Sequence, residues 1–237
     1  MATSLDLQEQ EQLDALKAFW NQYGNLITWV LIAVLGAYAA WNGWQWYQRD
    51  QATKAAAMYD ELDRAAQAGD AERAGRISAD LRERYPRTAF AAQGALEAAR
   101  VQFDKGQADA ARASLAWVAD HARDDDIRTI ARLRLAGLQA DAKQYGAALQ
   151  TLDAAKAAGF GALVDDRRGD VLMAEGKGAD AKAAYQAAWA AMPATVPYRQ
   201  VIEAKLMAMG AAPVAAAAPG AVAATAASAA SGTGVAK

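Results

Sequence analysis

The chain has 237 residues, a mass of 24.9 kDa, a formal net charge of −2, no Cys and one His. Those numbers exclude disulfides, thiolate metal sites, Cys nucleophiles and His-rich metal clusters. Hydrophobic residues make up 54%, yet 67 are Ala and only 25 are Leu or Ile, a composition of close-packed helices rather than sheets.

Residues 1–24 carry four acids (Asp6, Glu9, Glu11, Asp14) against Lys17 alone, and this stretch reads as a polar N-terminal segment. Between Lys17 and Arg49 lie 31 residues without a formal charge. Their centre, Leu26 to Trp41, is apolar apart from Thr28 and Tyr38. As a helix, Asn25–Trp46 would cover roughly 30 Å, the thickness of a bilayer's hydrocarbon, so residues 25–47 are predicted to span a membrane. Trp20 and Tyr23 stand before the span and Trp41, Trp44, Trp46 and Tyr47 at its far end, as headgroup-level anchors would. A buried core helix would not gather Trp at both ends. A cleavable signal peptide, for which Ala37-Tyr38-Ala39 offers a small-x-small site, would need a short basic leader, whereas this leader is long and acidic. Counting positive charges, Lys17 against Arg49, Lys54 and Arg64, would place the C-terminal part in the cytoplasm.

Beyond Arg49 a period emerges. Gly69, Gly106, Lys143 and Gly176 are separated by 37, 37 and 33 residues. Five residues after each stands an Ala (Ala74, Ala111, Ala148, Ala181), twelve after stand Leu81, Val118, Ala155 and Ala188, and seven before stand Leu62, Ala99, Ala136 and Gly169. Such a period with small residues at fixed offsets resembles the tetratricopeptide repeat. The predicted helix pairs are 54–67 with 71–85, 88–105 with 108–122, 126–142 with 146–158, and 162–175 with 179–192, closed by a capping helix at 197–209. Pro86 and Pro193 end second helices. Asp124-Asp125-Asp126 reads as a helix cap rather than a spaced calcium loop. Residues 211–237, rich in Ala with Pro, Gly, Ser and Thr, are predicted to be a disordered tail. The fold class is thus all-α: one N-terminal transmembrane helix, then a tetratricopeptide-like α-solenoid over 48–210.

No catalytic constellation emerges. There is no G-x-x-x-x-G-K-[ST], G-x-S-x-G or H-E-x-x-H; Gly176-Lys177-Gly178 is a turn, and the lone His121 sits at a helix end. No cofactor, metal or enzymatic activity is expected. From Arg49 to Gly210 there are 23 basic and 23 acidic residues, so no long-range field attracts nucleic acid, and partner binding should weaken only mildly with salt. A binding surface remains. Offsets of −10, −6, −3 and −2 from the turn position put Tyr59, Asp63, Arg100, Phe103, Asp104, Asp141, Asp170 and Met173 on the first-helix face, a mixture suited to peptide segments.

The order of these parts, with Phe19-Trp20-Asn21-Gln22-Tyr23-Gly24-Asn25, Trp44-Gln45-Trp46-Tyr47-Gln48 and Ala55-Ala56-Ala57-Met58-Tyr59, resembles the YfgM family of bacterial inner-membrane proteins. The resemblance covers about residues 5–210. It implies a non-catalytic protein ancillary to the SecYEG translocon, with a cytoplasmic N-terminus and a periplasmic repeat domain. Its implied partners are SecYEG, a PpiD-type periplasmic chaperone and, through them, emerging secretory chains. On orientation it runs against the charge count, and we follow it. The other reading is a cytoplasm-facing, membrane-tethered scaffold for soluble partners.

Overall fold

A computed structural model describes residues 7–211; residues 1–6 and 212–237, nearly all of the predicted tail, lie outside the described residues. Among the described residues the chain is entirely helical, in the order α1 (Leu7–Gln67), α2 (Ala71–Arg84), α3 (Ala89–Asp104), α4 (Ala108–His121), α5 (Asp125–Asp141), α6 (Tyr145–Asp153), α7 (Gly161–Ala174), α8 (Gly178–Ala191) and α9 (Arg199–Ala208). Two compact units divide at Lys54 and Ala55, within α1.

The first unit is the N-terminal stretch of α1. Its apolar side chains face outward: Trp29 is 65% exposed, and Val30, Leu31, Ile32, Val34 and Leu35 are similarly open. A core helix of a water-soluble domain would have buried them. The helix is long and apolar enough to cross a membrane, which fits a membrane-anchored protein. Its one hydroxyl near the start of the apolar run is satisfied locally, because Thr28 Oγ1 donates to the Gly24 carbonyl at 2.8 Å. Phe19 and Tyr23 rings lie 5.1 Å apart, and Trp44 and Tyr47 rings 6.1 Å apart, at opposite ends of the run. Trp20, Tyr23, Trp41, Trp44, Trp46 and Tyr47 are all exposed.

The second unit is the helix stack, and the columns read in the sequence are its crossing points. Ala74, Ala111, Ala148 and Ala181 are each completely buried, as are Leu81, Val118 and Ala188; Leu62, Ala99, Ala136 and Gly169 are buried too. Small side chains at these places let one helix of a pair lie close against the next. The turn between paired helices needs a left-handed residue. Gly69, Gly106 and Gly176 supply it at φ of 68°, 76° and 87°, and Lys143 adopts the same conformation at φ 60°. Lys143 therefore keeps the turn, at the steric cost that glycine avoids elsewhere.

Caps fix several helix starts. Asp70 accepts from the Arg73 amide at 2.9 Å, and Asp124 accepts from the Asp126 amide at 2.8 Å and the Ile127 amide at 3.3 Å. The acids at 124–126 are cap and first-turn residues, with Asp125 paired to Arg128. α6 ends at Asp153, earlier than the periodicity predicts. Arg132 explains the early stop: its guanidinium donates to the Ala154 carbonyl at 2.8 Å and to the Ala119 carbonyl at 2.9 Å, satisfying the ends of α6 and α4 together. The chain then runs past the buried Thr129, whose hydroxyl accepts from the Ala157 amide at 3.4 Å, and turns at Gly159 with φ 90°.

Successive helices pack in chain order from α2 to α9, and α5 also packs against α7. Four helix pairs with a cap exceed the three or so repeats that stacking needs. A fragment of residues 50–210 should therefore give a helical circular-dichroism spectrum and one cooperative thermal transition. A disordered spectrum would contradict the stack.

Candidate partner-binding cleft

The first helices of the second and third pairs, α3 and α5, flank an open cleft of about 300 Å³. Periodicity explains how it forms. Along α3, Leu96, Ala99, Arg100 and Phe103 recur at helical spacing; along α5, Leu133, Arg134, Gly137, Leu138 and Asp141 do the same; Leu115 of α4 and Arg167 of α7 complete the lining. Ala99 and Leu115 are buried and form the floor, while Phe103 stands 48% exposed on the wall.

Of the residues predicted for this face, the structure brings Arg100, Phe103 and Asp141 together in the cleft. Arg100 is held by Glu97 at 2.7 Å. Asp104 is exposed at the end of α3, and Met173, 45% exposed, stands in the last turn of α7. Neither lines the cleft. Tyr59 is half-buried against Phe90, with ring centroids 5.7 Å apart, and burial raises its hydroxyl above the usual phenol range, aided by the nearby carboxylates of Glu97, Asp63 and Asp60. Asp63 accepts from the Gln67 side chain at 2.7 Å.

Asp170 has a different role. Its carboxylate accepts from Tyr185 Oη at 2.8 Å and from Lys205 Nζ at 2.6 Å. Lys205 also donates to the buried Asp166 at 2.8 and 3.0 Å, and Tyr198 Oη donates to Asp166 at 2.9 Å. This cluster joins α7, α8 and α9 and holds the cap on the stack. Trp117 and Trp189 are engaged within the domain: Trp117 stacks on His121 with centroids 5.1 Å apart, and the Arg199 guanidinium lies 3.9 Å from the Trp189 ring centre.

The sequence reading does not single out Leu96, Leu115, Leu133, Arg134, Gly137, Leu138 and Arg167. Carrying its own offsets through every unit finds three of them. Position −10 gives Leu96 and Leu133 beside Tyr59, and position −6 gives Gly137 beside Arg100. Selection by polar or aromatic character passed over two leucines and a glycine, although apolar walls and open space are what make a cleft. Among the described residues no group of His, Asp or Glu side chains converges to hold a metal ion.

The stack, its turns and its cap define a tetratricopeptide-like helical-repeat protein that carries a helix long enough to cross a membrane. A family described as a tetratricopeptide repeat-like domain matches residues 17–211. The chain is 33% identical over 202 residues to a Neisseria gonorrhoeae protein named ancillary SecYEG translocon subunit, covering 84% of this chain and 96% of that protein. It is 31% identical over 182 residues to the Escherichia coli K12 protein of the same name, covering 76% and 86%. To the Haemophilus influenzae protein of that name it is 28% identical over 182 residues, covering 77% and 89%. No solved structure gives a significant match. The chain belongs to the YfgM family of ancillary SecYEG translocon subunits.

Proposed function

We propose that this protein is a membrane-anchored, non-catalytic interaction subunit that associates with the SecYEG translocon and links it to periplasmic chaperones during protein export. In this reading residues 1–24 are cytoplasmic, 25–47 span the inner membrane and 48–210 form a periplasmic repeat domain. The observation that carries it is the match to the gonococcal subunit over 96% of that protein's length, beside a family match whose residues, 17–211, take in both the apolar helix and the helix stack. The exposed apolar run of α1, with aromatic rings at both ends, supports the anchor. The cleft of Arg100, Phe103 and Asp141, with Asp104 and Met173 on nearby first-helix ends, supports a partner surface. A PpiD-type chaperone or an emerging secretory chain held beside the channel is at high effective concentration, so modest affinity suffices.

The cytoplasm-facing scaffold stays as the second reading on one observation, the three basic residues at 49, 54 and 64 against Lys17 alone. Protease added to intact spheroplasts decides between them. Digestion of the repeat domain with the first twenty or so residues spared is the expected result; digestion only after permeabilisation supports the scaffold. Crosslinking in the same membranes should trap SecYEG and a PpiD-type chaperone. Absence of both from crosslinked material would remove the export reading.

A further inference from the structure

The balance of 23 basic and 23 acidic residues conceals a local imbalance. The cleft is lined by three guanidinium groups, Arg100, Arg134 and Arg167, and by one carboxylate, Asp141. Arg100 is committed to Glu97. Arg134 is exposed and has no ion pair or hydrogen bond among the described residues. Arg167 pairs with Asp170 Oδ2 at 3.5 Å, a long contact, while Lys205 and Tyr185 converge on the other oxygen of that carboxylate. One guanidinium in the lining is thus unpaired among the described residues and a second is held only by a long contact. They occupy equivalent places in successive units, each nine residues before a turn position, Lys143 for one and Gly176 for the other.

Gly137 lies one helical turn after Arg134, in the interior of α5, where glycine weakens a helix. Packing within the domain does not require it. A Cβ there would meet only the Arg167 guanidinium, at 3.7 Å, which is ordinary contact. Gly169 is the contrast, since a Cβ there would sit 2.5 Å from the Tyr185 ring. What the glycine at 137 does provide is open space above α5, bounded by Leu133, Leu138 and Phe103, where another chain can come close. An apolar floor beside under-used guanidinium groups is complementary to a ligand that carries apolar and anionic groups together.

We propose that the cleft over Gly137 receives an acidic amphipathic peptide segment of a partner protein. Its apolar side chain enters against Phe103 and Leu133, and its carboxylates meet Arg134 and Arg167. This rests on the reading of the cleft as the partner surface and names the chemistry of what it takes. Mild salt dependence, expected from the domain's charge balance, then gives way to a marked one at this site.

The test uses the full chain in zwitterionic nanodiscs, with empty nanodiscs as the blank. The probes are two fluorescein-labelled peptides of about 15 residues on one Leu/Ala helical scaffold, bearing Glu or Lys at the polar positions. By fluorescence anisotropy the Glu peptide should bind about tenfold or more tighter than the Lys peptide at low salt and lose most of that advantage at high salt. Arg134→Glu combined with Arg167→Glu should reverse the preference. Gly137→Leu should abolish binding, and Gly137→Ala should retain it, with helical melts intact in both. Equal binding of the two peptides, or a Glu preference that survives the Arg reversals, overturns the acidic ligand; if Gly137→Leu still blocks binding in that case, the cleft stands as a partner surface. Wild-type affinity in a folded Gly137→Leu variant overturns both the acidic ligand and the cleft.

Discussion

Gly169→Ala should destabilise the repeat domain by roughly 2–3 kcal/mol, although Ala is the better helix former by about 1 kcal/mol. The new methyl carbon would lie 2.5, 2.6 and 2.9 Å from three carbons of the Tyr185 ring, closer than real contacts allow. The ring has nowhere to go. It is 4% exposed in the core that joins α7, α8 and α9, and its hydroxyl is tied to Asp170 at 2.8 Å. Moving it would break that hydrogen bond and part α7 from α8, the most extensive helix contact in the stack. Thermal melts of the 50–210 fragment should show a midpoint lower by about 5–10 °C for a domain of this size. Adding Tyr185→Leu should recover part of the loss, because the two residues share one site and their effects are not additive. An unchanged midpoint for Gly169→Ala would mean that this crossing is looser than the geometry states. Gly94 supplies the control: a Cβ there meets the terminal methyls of Leu81 and Leu62 at 3.0 and 3.1 Å and the Tyr59 ring at an ordinary 3.7 Å, and Ala should be better tolerated than at Gly169.

The helix pairs are legible in the sequence because their determinants are local and periodic. An Ala five residues after each turn position records where one helix must lie close to its mate, and four such residues in register set the spacing of the stack. Lys143 interrupts the glycine column without interrupting the fold, since its backbone takes the left-handed turn regardless. What the period does not convey depends on partners far apart in sequence. The short α6 is set by Arg132, which reaches 22 residues forward to Ala154. The offset puts Asp170 on the face predicted to bind, yet its carboxylate is claimed by Lys205, 35 residues on. The cleft is legible in outline, through Arg100, Phe103 and Asp141, but its openness comes from Gly137, a residue with no side chain to attract notice.

The largest effect is expected from Lys205→Met. Asp166 is 2% exposed and accepts from Lys205 and Tyr198, and Lys205 bridges it to Asp170. Removing the ammonium while keeping the carboxylate leaves a buried charge without its counter-ion, a loss of about 3–5 kcal/mol in buried pairs. The Lys205 side chain is 26% exposed, so some water can reach the site and the lower end, near 3 kcal/mol, is the expected value. Because the pair lies between α7 and the cap, α9 should loosen first, with proteolysis near its start preceding unfolding of the earlier pairs. Adding Asp166→Asn should restore part of the stability, as it removes the stranded charge. The pH dependence separates this electrostatic role from simple packing. Burial pulls the Lys205 pKa down, but hydrogen bonds to Asp166 and Asp170 and their charges outweigh it, and the net shift is upward. A lysine raised in the folded state stabilises fully below its unfolded pKa, about 10.4, and that contribution is lost as pH rises through the folded value. Tyr185 and Tyr198 are also raised, chiefly by burial and then by their bonds to Asp170 and Asp166, so their unfolded-state ionisation above about 10 acts in the same direction. Urea midpoints of the wild-type domain should thus hold through neutral pH and fall from about pH 10 upward. In Lys205→Met the midpoint starts lower and falls less steeply, since the Lys205 contribution is gone while those of the other raised groups remain. Parallel profiles for the two proteins would show that Lys205 contributes contact area and not charge.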